Sequence, residues 1–478
     1  MSNTPEIDKV RNDILLNLVF LAARDAIEKI KSVDIKSEYA IPTHFGWVYV
    51  SYEENGLPNF REGFLRGEKD FSSFVTNGIG GKVKPEQIDS YVTLSNYAMT
   101  NRDFQEAILP NRTNPNDDIF KHIAHMLANS IVERYMHVFS EQEFTIELCK
   151  ALYLPLERKI YQRTLEIEVV IPIIFLDFEF DKFQITENAY VMKMTNEMQT
   201  GRAQTKYSGN DGIDSGALSG CTHALVLTGW YIESENYWVS ASVQSPAIMD
   251  RIDRFFASIR MVKNVATGYA QLIQNAVGWA HSYTANIPYM SFEFVRAYPP
   301  SLQKRYFGKE SRPTISQSEM QEISKLYSFL MQDEHASLTV AVKRINACYL
   351  RSSEEDSIID ATIAMEALFG DDDNQEMTHK LALRMAALSS LDSRHERPAF
   401  DVFKDTKTIY KFRSKVVHGR KEKEINKVRF VNQSTGKVPA VEIALANLRQ
   451  AIRVFAENPQ FLEPELIDKI LLLHNNVA

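Results

Sequence analysis

Four polar side chains late in the chain, Tyr410, Arg413, Ser414 and His418, have the types and spacing to bind a phosphate and move a proton. On a helix turning about 100° per residue, Ile409, Phe412 and Val416 share one face, which must be the buried stripe. Tyr410, Ser414 and His418 then form a separate row at four-residue steps, with Arg413 at the border of the two faces. Gly419 is a natural residue to end such a helix. The imidazole of His418 is therefore expected at the C-terminal end, where the helix dipole favours its protonated form and where proton transfer near neutral pH is plausible chemistry. The guanidinium of Arg413 carries a permanent charge and can fork onto phosphate oxygens.

The surroundings of this strip are basic. Between Lys404 and Arg429 there are ten basic residues against three acidic ones, a local balance of +7, in a chain whose 54 Lys and Arg against 62 Asp and Glu give a net charge of -8. The global balance argues against a whole-molecule surface for polyanions, so any nucleic-acid contact must be a local patch. Lys411, Lys415, Arg420 and Lys421 are its candidate members. The plainer reading of the charge alone is a solvated helix face followed by a charged loop.

The elements that must position the strip are helical. Segments near 317–332, 335–351, 355–369, 376–391, 402–418 and 440–457 carry helical apolar spacing and short polar connections, the pattern of an antiparallel bundle. Residues 297–316, with Pro299, Pro300, Gly308 and Pro313, have a helix-breaking composition that suits an interdomain connection. At 478 residues the chain exceeds what one hydrophobic core serves, so two or three domains are expected: an N-terminal α+β region over 1–300 and a bundle over 316–478. In the first region a helix is expected over 5–32 on the stripe Ile7, Val10, Ile14, Leu18, Leu21 and Ile27, then a strand over 47–52. A helix follows over 117–138, on Ile119, Ile123, Met126, Leu127 and Ile131. A β-rich stretch covers about 160–245, with strands near 164–176, 184–194 and 223–242 around a loop at 208–220. Helix returns over 247–284 on Met249, Ile252, Phe255 and Ile259.

Three segments, 358–370 (IIDATIAMEALFG), 380–388 (KLALRMAAL) and 410–419 (YKFRSKVVHG), occur in the order and helical setting of a known family. With them the C-terminal third resembles the HEPN superfamily, specifically its Apea-like branch. The stretch 170–178 (VIPIIFLDF) is similar, more weakly, to the amino-terminal part that accompanies this branch. The resemblance implies a metal-independent endoribonuclease without cofactor, in which Arg413 and His418 act together, commonly in a cleft between two protomers. His418 would serve as general acid and base at a ribose 2′-OH and the leaving 5′-oxygen, and Arg413 would stabilise the pentavalent transition state. Ser414 stands where many members carry Asn or another polar residue. Glu366 and Asp360, polar interruptions of an apolar helix, match the family's second acidic position; Glu366 is expected to orient or assist, and Asp360 to be structural. The family setting further implies an anti-phage, growth-arresting (abortive-infection, toxin-like) role, with transfer or messenger RNA as substrate and a phage-derived trigger sensed by 1–300.

One geometric point shapes these expectations. On an ideal helix Arg413 and His418 lie about 140° apart, so either the helix distorts near Gly419 or a two-fold axis pools two copies of the strip in a homodimer. The competing arrangement pairs Arg413 with an acid such as Glu366 inside the bundle while His418 merely caps it. A catalytically silent module that binds RNA or protein is the alternative function, and a scaffold modified by its partner is a third.

Other signals carry less. The glycine-rich 77–82 lacks the Walker and dinucleotide spacings and reads as a turn. His122, His125, Glu133 and His137 fall on one helix, without an evident fourth ligand, and are set aside as a metal site. The acidic 370–376 lacks the glycine and closing glutamate of a calcium loop and reads as a solvated connection. Cys149, Cys221 and Cys348 lie far apart without CxxC spacing, so no disulfide framework or zinc site is expected, and Cys348 reads as core. The acidic start of the chain and the short apolar run 14–23 predict an untargeted, soluble, cytoplasmic protein with no membrane association.

Overall fold

The computed structural model describes residues 9–34, 40–63, 67–110, 117–208, 215–234, 245–287, 289–302, 312–332, 335–371, 376–392, 394, 397–433 and 436–473. The fold is α+β, with antiparallel sheet in the first part of the chain and helices in the last. In chain order the strands are β1 (Trp47–Tyr52), β2 (Pro58–Gly63), β3 (Thr164–Pro172), β4 (Asp177–Phe178), β5 (Lys182–Thr186) and β6 (Ala189–Lys193). They continue as β7 (His223–Glu233), β8 (Tyr269–Ala276), β9 (Met290–Ala297), β10 (Thr314–Ile315), β11 (Phe430–Gln433) and β12 (Gly436–Pro439). The chain forms two compact units: 1–172 with 192–243 and 271–295, and 173–191 with 244–270 and 296–478.

The first unit packs α1 (Asp13–Ser32), α2 (Asp89–Thr100), α3 (Arg102–Ile108), α4 (Asp117–Val138) and α5 (Ile146–Tyr161) around one apolar core. The expected bounds of β1 and α4 are met, and Ile123, Leu127 and Ile131 of the α4 stripe are buried. The first helix begins later than its apolar pattern suggested, because Asn12 caps it by accepting from the Leu15 N–H; residues 1–8 lie outside the described residues. Its buried face also differs. Leu15, Leu16, Val19, Ala22, Ala23, Ala26, Ile27 and Ile30 are inside, while Ile14 and Leu21 are exposed. Alanines let neighbouring helices approach closely, which a count of large apolar residues does not register.

Within this unit β7, β3, β8 and β9 lie side by side in that order. Strand β3 pairs antiparallel with β7 from Thr164↔Glu233 to Pro172↔Ala224, with a bulge between Ile167 and Val169, and with β8 on its other edge. Paired on both edges, it buries the unbroken run Val169 to Pro172. Residues 269–276 are a strand, not the continuation of the helix expected to 284: α8 (Pro246–Val262) stops at Lys263, and Tyr269 to Gln274 are buried without interruption. A short run buried on every side, with Gln271 and Gln274 inside it, has no apolar period from which helix and strand can be told apart. Between β6 and β7 lie α6 (Asn196–Ser208) and α7 (Ser215–Ser219); the rest of the expected loop, 209–214, lies outside the described residues.

The second unit gathers α9 (Gln317–Gln332), α10 (Ala336–Leu350), α11 (Glu354–Phe369), α12 (Met377–Ser389), α13 (Ala399–Val417), the short α14 (Glu422–Ile425), α15 (Ala440–Glu457) and α16 (Pro464–Leu473). The six expected bundle segments are all helices, with ends within three residues. One feature escaped the reading of 316–478 as helix alone, the antiparallel hairpin β11–β12; just before that span, in the expected connection, β10 pairs parallel with β4. Helix α8 belongs to this unit, where Ala257 and Met261 join the core built by α9 to α16. It is held by the Arg260 guanidinium, which donates to Asn346 Oδ1, and by Arg254, which donates to the Leu330 carbonyl. All three cysteines are free and buried, Cys348 donating to the Ser357 carbonyl at 3.0 Å. Burial pushes the thiols up, to about 12 for Cys149, 11 for Cys221 and 12 for Cys348. Among the described residues, no helix is long and apolar enough to cross a membrane.

Candidate functional site

Helix α13 carries the strip. Ile409 and Phe412 are fully buried and Val416 partly so, which fixes the rotation of the helix and turns Tyr410, Arg413 and Ser414 to the border of the core. Its end is a complete Schellman motif: the Gly419 N–H donates to the Val416 carbonyl and the Arg420 N–H to that of Lys415, both at 3.0 Å. Gly419 has φ +57°, the left-handed conformation such a cap requires. His418 is thereby the C-cap, its backbone N–H on the Ser414 carbonyl at 3.1 Å and its side chain exposed.

Helix α11 brings the acid. Ser353 caps its N-terminus by accepting from the Asp356 N–H at 3.0 Å, and Glu354, Glu355 and Asp356 complement the dipole of its first turn. Near its other end Glu366 faces α13. The Tyr410 hydroxyl donates to Glu366 Oε1, and Arg413 Nη2 lies 3.8 Å from the same oxygen. The Arg413 guanidinium also lies 5.6 Å from the Tyr410 ring centre. Burial, and then the hydrogen bond and charge of Glu366, push the Tyr410 hydroxyl well above its ordinary range, so the phenol stays a donor. The contact of Arg413 with Glu366 is longer than a hydrogen bond, and Arg413 Nε is buried with no hydrogen-bond partner among the described residues. The side chain is 30% exposed and its terminal nitrogens make no hydrogen bond among the described residues, so these keep donor capacity for a further anion.

The structure thus joins Tyr410, Arg413 and Glu366, the pairing that the competing arrangement proposed, with His418 at the cap. Among the described residues the His418 side chain makes no hydrogen bond or ion pair. Asp360 is structural as expected: it is buried and accepts from Arg344 Nη1 at 2.8 Å and Arg351 Nε at 2.7 Å. Of the basic patch, Lys411, Arg420 and Lys421 are exposed, whereas the Lys415 ammonium donates to the Glu424 carbonyl at 2.9 Å. Arg429 is paired with Glu354 and Glu355, which removes one charge from the expected balance. Asp371 likewise pairs with Lys380 and Arg384, so the acidic connection is partly anchored; 372–375 lie outside the described residues. The glycine-rich 77–82 is a turn.

A second constellation lies in the first unit, and one of its three residues, His44, escaped the sequence. Glu133 and His137, one turn apart on α4, are met by His44 from the segment before β1. His44 Nε2 is 2.7 Å and His137 Nε2 3.4 Å from Glu133 Oε1. The Ala285 N–H donates to the same oxygen at 2.9 Å and the Ser72 N–H to Oε2 at 3.0 Å. Burial works to raise the Glu133 carboxyl, and the hydrogen bonds and charges of His137 and His44 outweigh it, holding it at about 2. His122 is exposed and His125 bonds the Ser95 hydroxyl at 2.7 Å, so neither joins the group. His137 also lines a cavity of about 370 Å³ together with Tyr49, Glu68, Asn196, Glu197 and Thr200.

No protein-family model matches the chain, and no curated protein or solved structure matches it either.

Proposed function

We propose that the chain is an endoribonuclease of the HEPN type that needs no metal for the cutting step, with Arg413 and His418 as its catalytic residues. The observation that carries this reading is the state of Arg413: a half-buried guanidinium, loosely held by Glu366, whose donors make no hydrogen bond among the described residues, on the helix that ends at an exposed histidine. A phosphodiester entering there would receive the free donors of Arg413, and charge growing on its oxygens in the transition state would strengthen that contact. His418 would take the proton of the attacking 2′-OH and return one to the leaving oxygen. Glu366, bonded to Tyr410, would hold Arg413 in place. Lys411, Arg420 and Lys421 would draw the backbone of an RNA such as tRNA to this end of α13. The role would be cytoplasmic anti-phage defence, with a homodimer pooling two strips and a trigger acting on the N-terminal region.

The test is cleavage of cellular RNA by the purified protein, with and without EDTA. His418→Ala is expected to lower the rate by about 100-fold or more, and Arg413→Lys by about 100-fold, with little change in melting temperature. Undiminished cutting by His418→Ala would sink the assignment. RNA binding by a wild-type protein that never cuts, even with a trigger supplied, would favour the silent binding module.

A further inference from the structure

The carboxylate of Glu133 is fully buried, yet no lysine or arginine among the described residues pairs with it or with Asp70, whose carboxylate stands behind His44. The Ala285 and Ser72 N–H groups stabilise the Glu133 carboxylate in part, and a buried carboxylate is held more firmly still by a positive charge, which here the two imidazoles or a bound ion would supply. Two adjacent imidazolium rings would repel each other across Glu133 Oε1. A single dication at their common focus would serve both rings and the carboxylate at once.

We propose that His44, Glu133 and His137 form a binding site for a divalent cation of the zinc class. Their ligand atoms all lie within 4.8 Å of one another. A tetrahedral ion with bonds near 2.1 Å needs ligand atoms about 3.4 Å apart, so the 3.4 Å between His137 and Glu133 already fits and the 2.7 Å between His44 and Glu133 must open slightly. The ligand set, two imidazoles and one carboxylate with two of the three one helical turn apart, is one that zinc-class ions accept. Each ring must then present the Nε2 lone pair and carry its proton on Nδ1. For His44 the nearest carboxylate to that proton is Asp70, whose oxygens also accept from Ser72 and Ser73 and whose Oδ2 lies 3.9 Å from Nδ1, so the ring must move closer to bond it as the ion enters. A carboxylate behind a ligating histidine fixes the tautomer that metal binding needs. His137 Nε2, which donates to the Lys69 carbonyl at 2.8 Å without an ion, would give up that bond.

The backbone is built to hold His44 there. Its N–H donates to the Glu68 carbonyl at 2.8 Å, and Thr43 and Lys69 form an antiparallel bridge. This approach is so close that a Cβ at Gly67 would stand 1.9 Å from the His44 carbonyl oxygen. His137 also lines the cavity, the side from which water or a small oxygen ligand would reach the ion.

The experiment is equilibrium binding of zinc, and of cobalt as a visible reporter, to the full chain stripped with chelator. One equivalent per chain, the strong visible absorption of tetrahedral cobalt, and a rise in melting temperature with zinc are expected. His44→Gln and His137→Gln should each weaken binding by about 100-fold or more, and Asp70→Asn by about 10-fold, in proteins whose circular dichroism matches the wild type. Wild type that binds neither ion, or variants that bind as tightly as wild type, would overturn the site and leave a protonated His–Glu–His cluster. Neither result bears on RNA cleavage, which is read separately.

Discussion

At the scale of single residues, the strip on α13 shows what a sequence can disclose of a site. Tyr410 and Arg413 are three residues apart, so both reach one acid on a neighbouring helix, and the acid was legible because Glu366 interrupts an apolar run. What spacing does not encode is the strength of the contact. Tyr410 takes the close hydrogen bond and leaves Arg413 at 3.8 Å, short of a closed ion pair, a difference set by the packing of α11 on α13. His44 was hidden for another reason. It is a loop residue brought to Glu133 and His137 by backbone pairing across a chain separation that no local pattern spans. Buried titratable groups also set how the protein responds to acid. Burial, then the neighbouring charge of Lys159, depress His281 to about 4. A histidine that charges more readily unfolded than folded contributes stability that is complete above its unfolded value near 6.5 and is lost as pH falls toward 4. Denaturant melts between pH 7 and pH 4 should therefore show a loss of up to about 3 kcal/mol from this group, and His281→Asn should flatten that part of the profile. An unchanged profile in the variant would remove His281 as the cause.

At the scale of elements, the long helices with one apolar face were the most legible. The bounds of α4 and β1, and the six bundle helices, follow from period and punctuation. Residues 269–276 were not legible because a segment buried on all sides has no face to alternate, and the hairpin β11–β12 was not because its strands are four residues each. The phase of α1 was misjudged because large apolar residues fall on both sides of it, and Leu15, Leu16, Val19 and Ile30, together with three alanines, face the core in place of Ile14 and Leu21. The end of α13 is the element on which the candidate site most depends. Gly419 has φ +57°, and a Cβ there would meet nothing within 4 Å, so the cost of a side chain is confined to the backbone. Gly419→Ala should lower stability by about 1 kcal/mol while disturbing the cap that places His418. RNA cleavage is then expected to fall by more than the change in melting temperature explains. Unaltered cleavage would show that the cap does not position the histidine.

At the scale of the whole molecule, the proline-rich segment 297–316 suggests a place to divide the chain, yet the core of the second unit includes Ala257 and Met261 from α8, which precedes that segment. Arg254 and Arg260 of the same helix reach α9 and α10. Composition marks connections, whereas membership of a core depends on distant packing, so this inclusion was not legible. A fragment of 316–478 should therefore expose the apolar surface that Ala257 and Met261 cover. It is expected to aggregate or melt well below the full chain, and cooperative melting at the full chain's temperature would count against a required α8.

The burial of all three thiols has a practical face. Cys149, Cys221 and Cys348 sit in the core with their acidities pushed far from neutral pH, so the folded surface offers no native thiolate to an electrophile. A single cysteine introduced at an exposed position such as Val417, beside His418, would be the one reactive sulfur of the native chain. A dye or spin label attached there would report on what approaches the end of α13, and the appearance of three further thiols would report unfolding.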